Sequence, residues 1–343
     1  MKKRGMILAL VLTVVFACAA CTTTPPVASG PVEAGSETSA EMSAGSEGGM
    51  KIGMSLADYS NPVWADVSKA AEELCKANGA EYTAVQFDND PQKQVSQIEN
   101  FVSSGYSGII LSPTDPGSIE DACKAAMEKG VAVVVYGAEL ENMTCNYNVP
   151  EYEAGYAAGQ LAADWVETRE ALMAKDKIEI GILNYRQTPQ TIGREDGFEA
   201  AMKERVPSAE IVIRTEALTA EEGMKATETF FQAHPNLDII YSIGGGGGMG
   251  ANEAVKAMNK DAADFGIFCV DSTQEICQAI KNGEGLKGII SLGSGREHGE
   301  AMVNLAMEAA AGEKVEFNNF MPIIPVNSEN VEEFAEENGY TLT

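Results

Sequence analysis

The chain has 343 residues, and its 24 Lys and Arg face 51 Asp and Glu, a formal net charge of −27. That acid excess argues against a nucleic-acid binder, which needs a basic face to neutralise phosphates. Apolar residues make up 45% of the chain and only two residues are histidine, so a large core can form while His-based metal sites and His relays have little to draw on.

The N-terminus reads as a targeting signal. Lys2, Lys3 and Arg4 precede the apolar stretch Met6–Phe16, and small residues then lead to Cys21. Such a stretch is too short to span a bilayer as a helix. Residues 1–20 resemble a bacterial lipoprotein signal peptide, cleaved before a cysteine that then carries lipid. Cys21 is the preferred lipidation site, with Cys18 as the alternative; an ordinary secretory signal is the competing reading. Cleavage removes three positive charges and no negative one, which takes the net charge from −27 to −30. Residues 21–50, rich in Thr, Pro, Ser, Gly, Ala and Glu, read as a disordered tether.

From Lys51 the pattern alternates strand and helix. Ile52–Leu56 is a strand, and Asn61-Pro62 opens a helix with Val63, Val67, Ala70, Ala71 and Leu74 at helical spacing. Tyr82–Phe87 is the next strand, and Asp90-Pro91 opens a helix closed by Gly105. Gly108–Leu111 is a strand, Ser118–Glu128 a helix and Val131–Tyr136 a strand of almost pure Val, as in a parallel sheet covered on both faces. One long helix is expected over Glu151–Lys175.

A second series follows. Its strands are Ile178–Leu183, Ala209–Ile213, Leu237–Ile243, Phe265–Val270 and Leu286–Ser291. Its helices are Thr191–Glu204, Thr219–Ala233, Asn252–Met258, Thr273–Asn282 and Glu297–Ala311. Two such series imply an α/β protein of two doubly wound, Rossmann-like lobes, with ligands bound outside the strand C-termini.

The loops after those strands carry hydrogen-bonding groups and aromatics. The first series offers Asp58, Tyr59, Ser60, Asn61, Trp64, Ser112, Thr114, Asp115, Tyr136, Gly137 and Glu139. The second offers Tyr185, Arg186, Arg194, Gly244–Gly248, Asp271, Ser272, Ser294 and Arg296. No Ser/His/Asp set is present, since His234 sits at a helix end and His298 is expected on a surface helix beside Glu297. Cys75, Cys123, Cys145, Cys269 and Cys277 include no C-x-x-C pair and read as buried structural residues, with one disulfide the alternative. No metal site and no cofactor is expected. Gly245-x-Gly247-x-x-Gly250 fits a dinucleotide fingerprint. The preferred reading is that its glycines let a loop approach a ligand or the opposite lobe closely.

Taken together, these residues resemble the type I periplasmic sugar-binding proteins of ABC importers, ribose- and galactose-binding types especially. The resemblance runs from about Lys51 to the end. It is carried by Lys51-Ile52-Gly53 through Asn61-Pro62, by Leu111-Ser112-Pro113-Thr114-Asp115, and by Gly155-x-x-x-Gly159. Arg194-x-x-Gly197-Phe198, Ala233-His234-Pro235, Gly250-Ala251 and Val270-Asp271 complete it. It implies a three-strand hinge joining residues 51–149 plus about 292–320 to residues 150–291 plus about 321–343.

The resemblance further implies that Asn61 and Trp64 line the cleft from the first lobe, and that Arg194 and Asp271 reach sugar hydroxyls from the second. The chain departs from the ribose pattern at Gly137-Ala138, at Gly244-Gly245, at Leu292 and at Val63, where polar or stacking side chains are replaced. Those departures speak against ribose and leave room for contacts from Tyr136, Tyr185 or Tyr59. The implied function is a lipid-anchored, monomeric solute receptor, outside the cell membrane or in the periplasm. It would deliver a sugar, polyol or similar hydroxylated solute to an ABC permease, without catalysis. The alternatives are a sensory receptor of the same fold and an exported αβ enzyme.

Overall fold

The computed structural model describes residues 49–57, 62–260 and 262–343. The signal and tether, Cys18, Cys21, Tyr59 and the predicted ligand contact Asn61 lie outside the described residues.

The chain builds two sheets in sequence. The first series is β1 (Lys51–Leu56), α1 (Pro62–Ala77), β2 (Glu81–Gln86), α2 (Pro91–Ser103), β3 (Gly108–Leu111), α3 (Pro116–Glu128), β4 (Ala132–Tyr136) and β5 (Cys145–Asn148). The second opens with α4 (Glu151–Glu167), α5 (Glu170–Met173), β6 (Ile178–Asn184), α6 (Pro189–Arg205), β7 (Ala209–Glu216) and α7 (Ala220–Ala233). It continues with β8 (Ile239–Ser242), α8 (Gly245–Ala257), β9 (Gly266–Val270), α9 (Gln274–Lys281) and β10 (Leu286–Ser291). The chain ends with α10 (Gly295–Ala310), β11 (Asn318–Phe320), β12 (Ile324–Asn327) and α11 (Val331–Glu337).

One sheet has the order β11-β5-β4-β3-β1-β2 and the other β12-β10-β9-β8-β6-β7. The two orders are the same, element for element. They differ only at the last strand, since β11 runs parallel to β5 whereas β12 runs antiparallel to β10. The chain therefore passes between the sheets three times: after β5, after β10 and after β11.

Strand periodicity fills both faces of each sheet. Ile52, Met54, Ile110 and Val134 pack with Val67 and Ala71 of α1 and Met302 and Val303 of α10. Their alternates Ile109, Leu111, Val133 and Val135 pack the other face with Ile98 and Phe101 of α2 and Ile119 and Cys123 of α3. In the second sheet Ile178, Ile180 and Ile182 meet α4 and α6, while Leu183 and Ile240 meet α7, α8 and α9.

Several expectations need correction. The single helix expected over Glu151–Lys175 breaks into α4 and α5: Thr168 ends α4 by turning its hydroxyl onto the Trp165 carbonyl (2.8 Å), and Arg169, in extended conformation, caps α5. The short polar strand β5, the edge strands β11 and β12, and α11 were not anticipated. The glycine run is not a loop: α8 begins at Gly245. Its backbone lies directly on α7, so that a Cβ at Gly246 or Gly250 would collide with the Leu218 or Ala220 carbonyl. Tertiary packing here overrides the low helix propensity of glycine. All five described cysteines are buried and free, so the disulfide alternative falls. Burial pushes the thiols up, to about 11 for Cys75 and about 12 for Cys123.

His298 is not on the surface. It is 7% exposed, because α10 turns this face onto the hinge. Its Nδ1 lies 3.2 Å from the Tyr147 hydroxyl of β5. Gly293, at φ +97°, projects toward both Pro322 and His298. The imidazole thus lies against β5 beside the first crossing, and a Cβ added at Gly293 beside the second would meet it at 3.2 Å. Burial holds it below the usual histidine range, against the pull of Glu297. A depressed pKa contributes stability that is present above pH about 6.5 and lost as pH falls through the folded value. His298→Gln retains an acceptor for Tyr147. Below pH 6.5 thermal unfolding should show wild type losing stability more steeply than this variant, the slopes differing by up to about 1.4 kcal/mol per pH unit. Parallel pH profiles would refute the buried neutral imidazole.

The second prediction concerns α4 and α6, which pack backbone to backbone. A Cβ at Gly155 would run into the Arg194 carbonyl and one at Gly197 into the Tyr152 carbonyl, whereas one at Gly193 would rest 3.5 Å from Glu151 Cβ. Gly155→Ala and Gly197→Ala should each destabilise by about 1–3 kcal/mol through overpacking. Gly193→Ala should be neutral or stabilise by up to about 1 kcal/mol through helix propensity. Denaturant titration of the three variants checks the ranking, and equal effects would defeat it.

Candidate functional site

Strand order reverses between β1 and β3 in one sheet and between β6 and β8 in the other, which opens a crevice at the strand C-termini. The described residues build two unlike walls there.

The first lobe supplies an aromatic wall. Trp64, in the first turn of α1, is half-buried and meets Tyr136, the last residue of β4, edge-on with centroids 4.9 Å apart at 79°. Tyr136 in turn lies 6.5 Å from Tyr147, and Tyr147 lies 5.9 Å from His298. Edge-to-face pairs of this kind add about 0.5–1.5 kcal/mol beyond area burial, so the wall is rigid and continuous with the hinge. Gly137 follows at φ +72°, exposed, with its N–H donated to the Tyr147 carbonyl at 3.2 Å. At that angle an L side chain would be strained; the position presents bare backbone.

The second lobe supplies a charged wall. Arg194, in α6, has a side chain only 13% exposed. Its Nε donates to the Glu151 carboxylate, its Nη1 donates to the Ile243 carbonyl at 2.9 Å, and that nitrogen lies 3.9 Å from Asp271 Oδ1. Tyr241, stacked flat on Phe198 at 4.0 Å, supports the arginine from below by donating to its backbone carbonyl at 3.4 Å. Asp271 follows β9 at φ +85°, a conformation Asp rarely adopts. Its N–H is bound by Ile290 O at 2.9 Å, and its Oδ2 accepts the Gly245 N–H at 3.1 Å. The carboxylate nonetheless remains half exposed. Gly244 is the N-cap of α8, and its carbonyl accepts the Ser242 hydroxyl at 2.7 Å. Tyr185 is half-buried and packs on the core cluster beneath this wall.

The two walls act on one another. The Tyr136 phenol is raised first by burial and then by Glu151 and Asp271, against Arg194. Three charged groups from α4, α6 and the loop after β9 thus act on an aromatic of the first lobe. Burial lifts the Glu151 carboxyl, outweighing the attraction of Arg194. Burial also opposes the charge on Arg194, but Glu151 and Asp271 overcome it and hold the guanidinium above its ordinary value.

Of the predicted contacts, Trp64, Tyr136, Gly137, Arg194, Gly244 and Asp271 stand at strand C-termini or the adjoining helix N-terminal turns, Tyr185 sits lower, and Asn61 is outside the described residues. One residue of the charged wall was missed. Glu151 opens α4, where an acid reads as a complement to the helix dipole. The dinucleotide reading of the glycine run loses its basis, since the leading N–H is already bound to Asp271 and the run packs on α7. Among the described residues, no group of three or more His, Cys, Asp or Glu is placed to hold a metal ion.

Known proteins resemble this chain in sequence and fold. The chain is 26% identical over 264 residues to the ABC transporter periplasmic-binding protein YphF of Escherichia coli, covering 74% of this chain and 79% of that one. It is 24% identical over 273 residues to the ribose import binding protein RbsB of Bacillus subtilis, covering 78% and 81%. An ABC transporter solute binding protein from Bacillus halodurans, solved with bound myo-inositol, superposes with a TM-score of 0.68 at 23% identity, covering 85% of this chain and 99% of that one. The sequence profile described as "Periplasmic binding protein domain" matches residues 52–314, and the chain belongs to that family.

Proposed function

We propose that the protein is the substrate-binding component of an ABC importer, taking a sugar, polyol or similar hydroxylated solute between its two walls and delivering it to a permease. The observation that carries this reading is the pairing of the Trp64–Tyr136 wall with Arg194 and Asp271 across the crevice. An aromatic face packs on a sugar ring, and planar guanidinium and carboxylate groups suit vicinal hydroxyls. Relatives named as ribose-import and ABC periplasmic-binding proteins, and a neighbour holding myo-inositol, support the same solute class. Family membership implies an exported, periplasmic location.

Within that reading, Cys21, or Cys18, carries the lipid anchor and residues 22–50 are the tether. Asn61 and Trp64 contact the ligand from the first lobe, and Tyr185, Gly137 and Gly244 border it. The lobes that close are 51–149 with about 292–320 and 150–291 with about 321–343. Contacts made by both walls favour the closed state, which the permease reads. No helix of the described residues is long and apolar enough to cross a membrane. The protein acts as a monomer and binds without turnover.

Thermal unfolding in the presence of a panel of sugars, polyols and nucleosides tests this. A cognate solute at 100 times its Kd should stabilise by about 2.7 kcal/mol and be recovered unchanged. Asp271→Ala removes a half-exposed carboxylate and should cost tenfold or more in affinity while leaving the unliganded protein folded. Turnover of the solute, or full protection retained by Asp271→Ala, would contradict the proposal.

A further inference from the structure

The crevice edge has two sources of positive potential that could attract an anion, arginines and helix N-termini; the arginines, and the N-termini of α2, α8 and α10, are met by acids of the protein itself. Arg194 is engaged by Glu151 and faces Asp271. Arg186 is bound to the fully buried Glu195 carboxylate at 2.7 Å, and Arg296 to Glu73 at 2.8 Å. Among the helix N-termini on this edge, α2 is capped by Asp90, which accepts from the Gln92 and Lys93 N–H groups. The N–H of Gly245 at the start of α8 is taken by Asp271, and α10 carries the Ser294–Glu297 capping box. The three charged groups at the second wall, Glu151, Arg194 and Asp271, sum to one negative charge.

An acceptor is also in surplus. Among the described residues, Asp271 Oδ1 has no partner closer than the 3.9 Å to Arg194. A ligand of this site therefore gains by bringing donors and positive charge, and loses by bringing acceptors and negative charge.

On these grounds, and resting on the receptor reading above, we propose that the crevice selects solutes by charge. A hydroxylated solute bearing a primary ammonium group binds ahead of its neutral counterpart, and carboxylated or phosphorylated counterparts are rejected. Glu151 is then a specificity-determining residue. It commits Arg194 to the protein, so that the guanidinium hydrogen-bonds hydroxyls without serving as an anion receptor, and together with Asp271 it leaves the uncompensated negative charge.

Matched trios on one scaffold test the rule: glucose, glucosamine and glucuronate; galactose, galactosamine and galacturonate; myo-inositol with an amino-inositol and an inositol monophosphate. Binding is measured by calorimetry at low and high salt on the wild-type protein, on Glu151→Gln and on Asp271→Asn. On whichever scaffold binds, the amine should exceed the neutral form by roughly tenfold, the scale of one partly screened charge contact. The preference should shrink with salt and collapse in both variants. Glu151→Gln should also admit the acidic member, because it releases Arg194. A trio in which the neutral or acidic member binds tightest, or a ranking unchanged in Glu151→Gln, overturns the charge rule and leaves the receptor reading standing. Silence from every trio removes the hydroxylated-solute reading itself, and the charge rule with it.

Discussion

Arg194 is held by its backbone before it is held by its side chain. The α4–α6 contact is a backbone-to-backbone approach made at Gly155, Gly159 and Gly197, and the Arg194 carbonyl lies against Gly155. That contact fixes how far α6 stands from α4, and so brings the guanidinium of one helix within reach of the Glu151 carboxylate at the N-terminus of the other. The Tyr241–Phe198 stack extends the same arrangement into the core. Loosening α4 from α6 would misplace the Arg–Glu pair, the Asp271 contact and the field felt by Tyr136 together, because all of them follow from that one helix spacing.

The second lobe therefore achieves polarity at the crevice with charges that are largely satisfied before any ligand arrives. The side chains of Glu151 and Arg194 are 18% and 13% exposed, and neither would be tolerated at that depth without the other. Asp271 stays half exposed because its anchors are backbone: its own N–H on Ile290 and its Oδ2 on Gly245. The first lobe is built the opposite way, from aromatic edges and bare backbone at Gly137. The crevice thus has an apolar, shape-determined surface on one side and a preorganised polar one on the other, the usual division of labour in small-molecule sites.

Much of this was legible in the sequence. The strand and helix alternation could be read because buried strands of Ile and Val and helices with apolar stripes carry strong periodic signals. Proline after Asn or Asp marked several helix starts. Arg194 and Asp271 were expected at the cleft through the family resemblance, and the structure brings them within 3.9 Å of one another. What escaped was decided by tertiary context. Five glycines became the first turns of α8 only because α7 offers a surface that a Cβ would exclude. His298 looked exposed beside Glu297, yet the hinge folds over it. β5, with its polar Asn146 and Asn148, lacks strand patterning and depends on β4 and β11 for its pairing. Glu151 was hidden by an ordinary role, since acids in first helical turns are common and its arginine lies 43 residues further along the chain.

The five free cysteines acquire a different meaning in a protein that crosses into an oxidising compartment. Cys75, Cys123, Cys145, Cys269 and Cys277 are all buried, and burial suppresses their thiolates. Folded, the chain offers oxidants nothing to attack at these positions. Unfolded, these five positions become accessible thiols, an odd number that bridges among them alone could not exhaust. For these five thiols, redox vulnerability is thus confined to the interval between emergence from the membrane and closure of the two cores, which makes fast assembly of the sheets their protection.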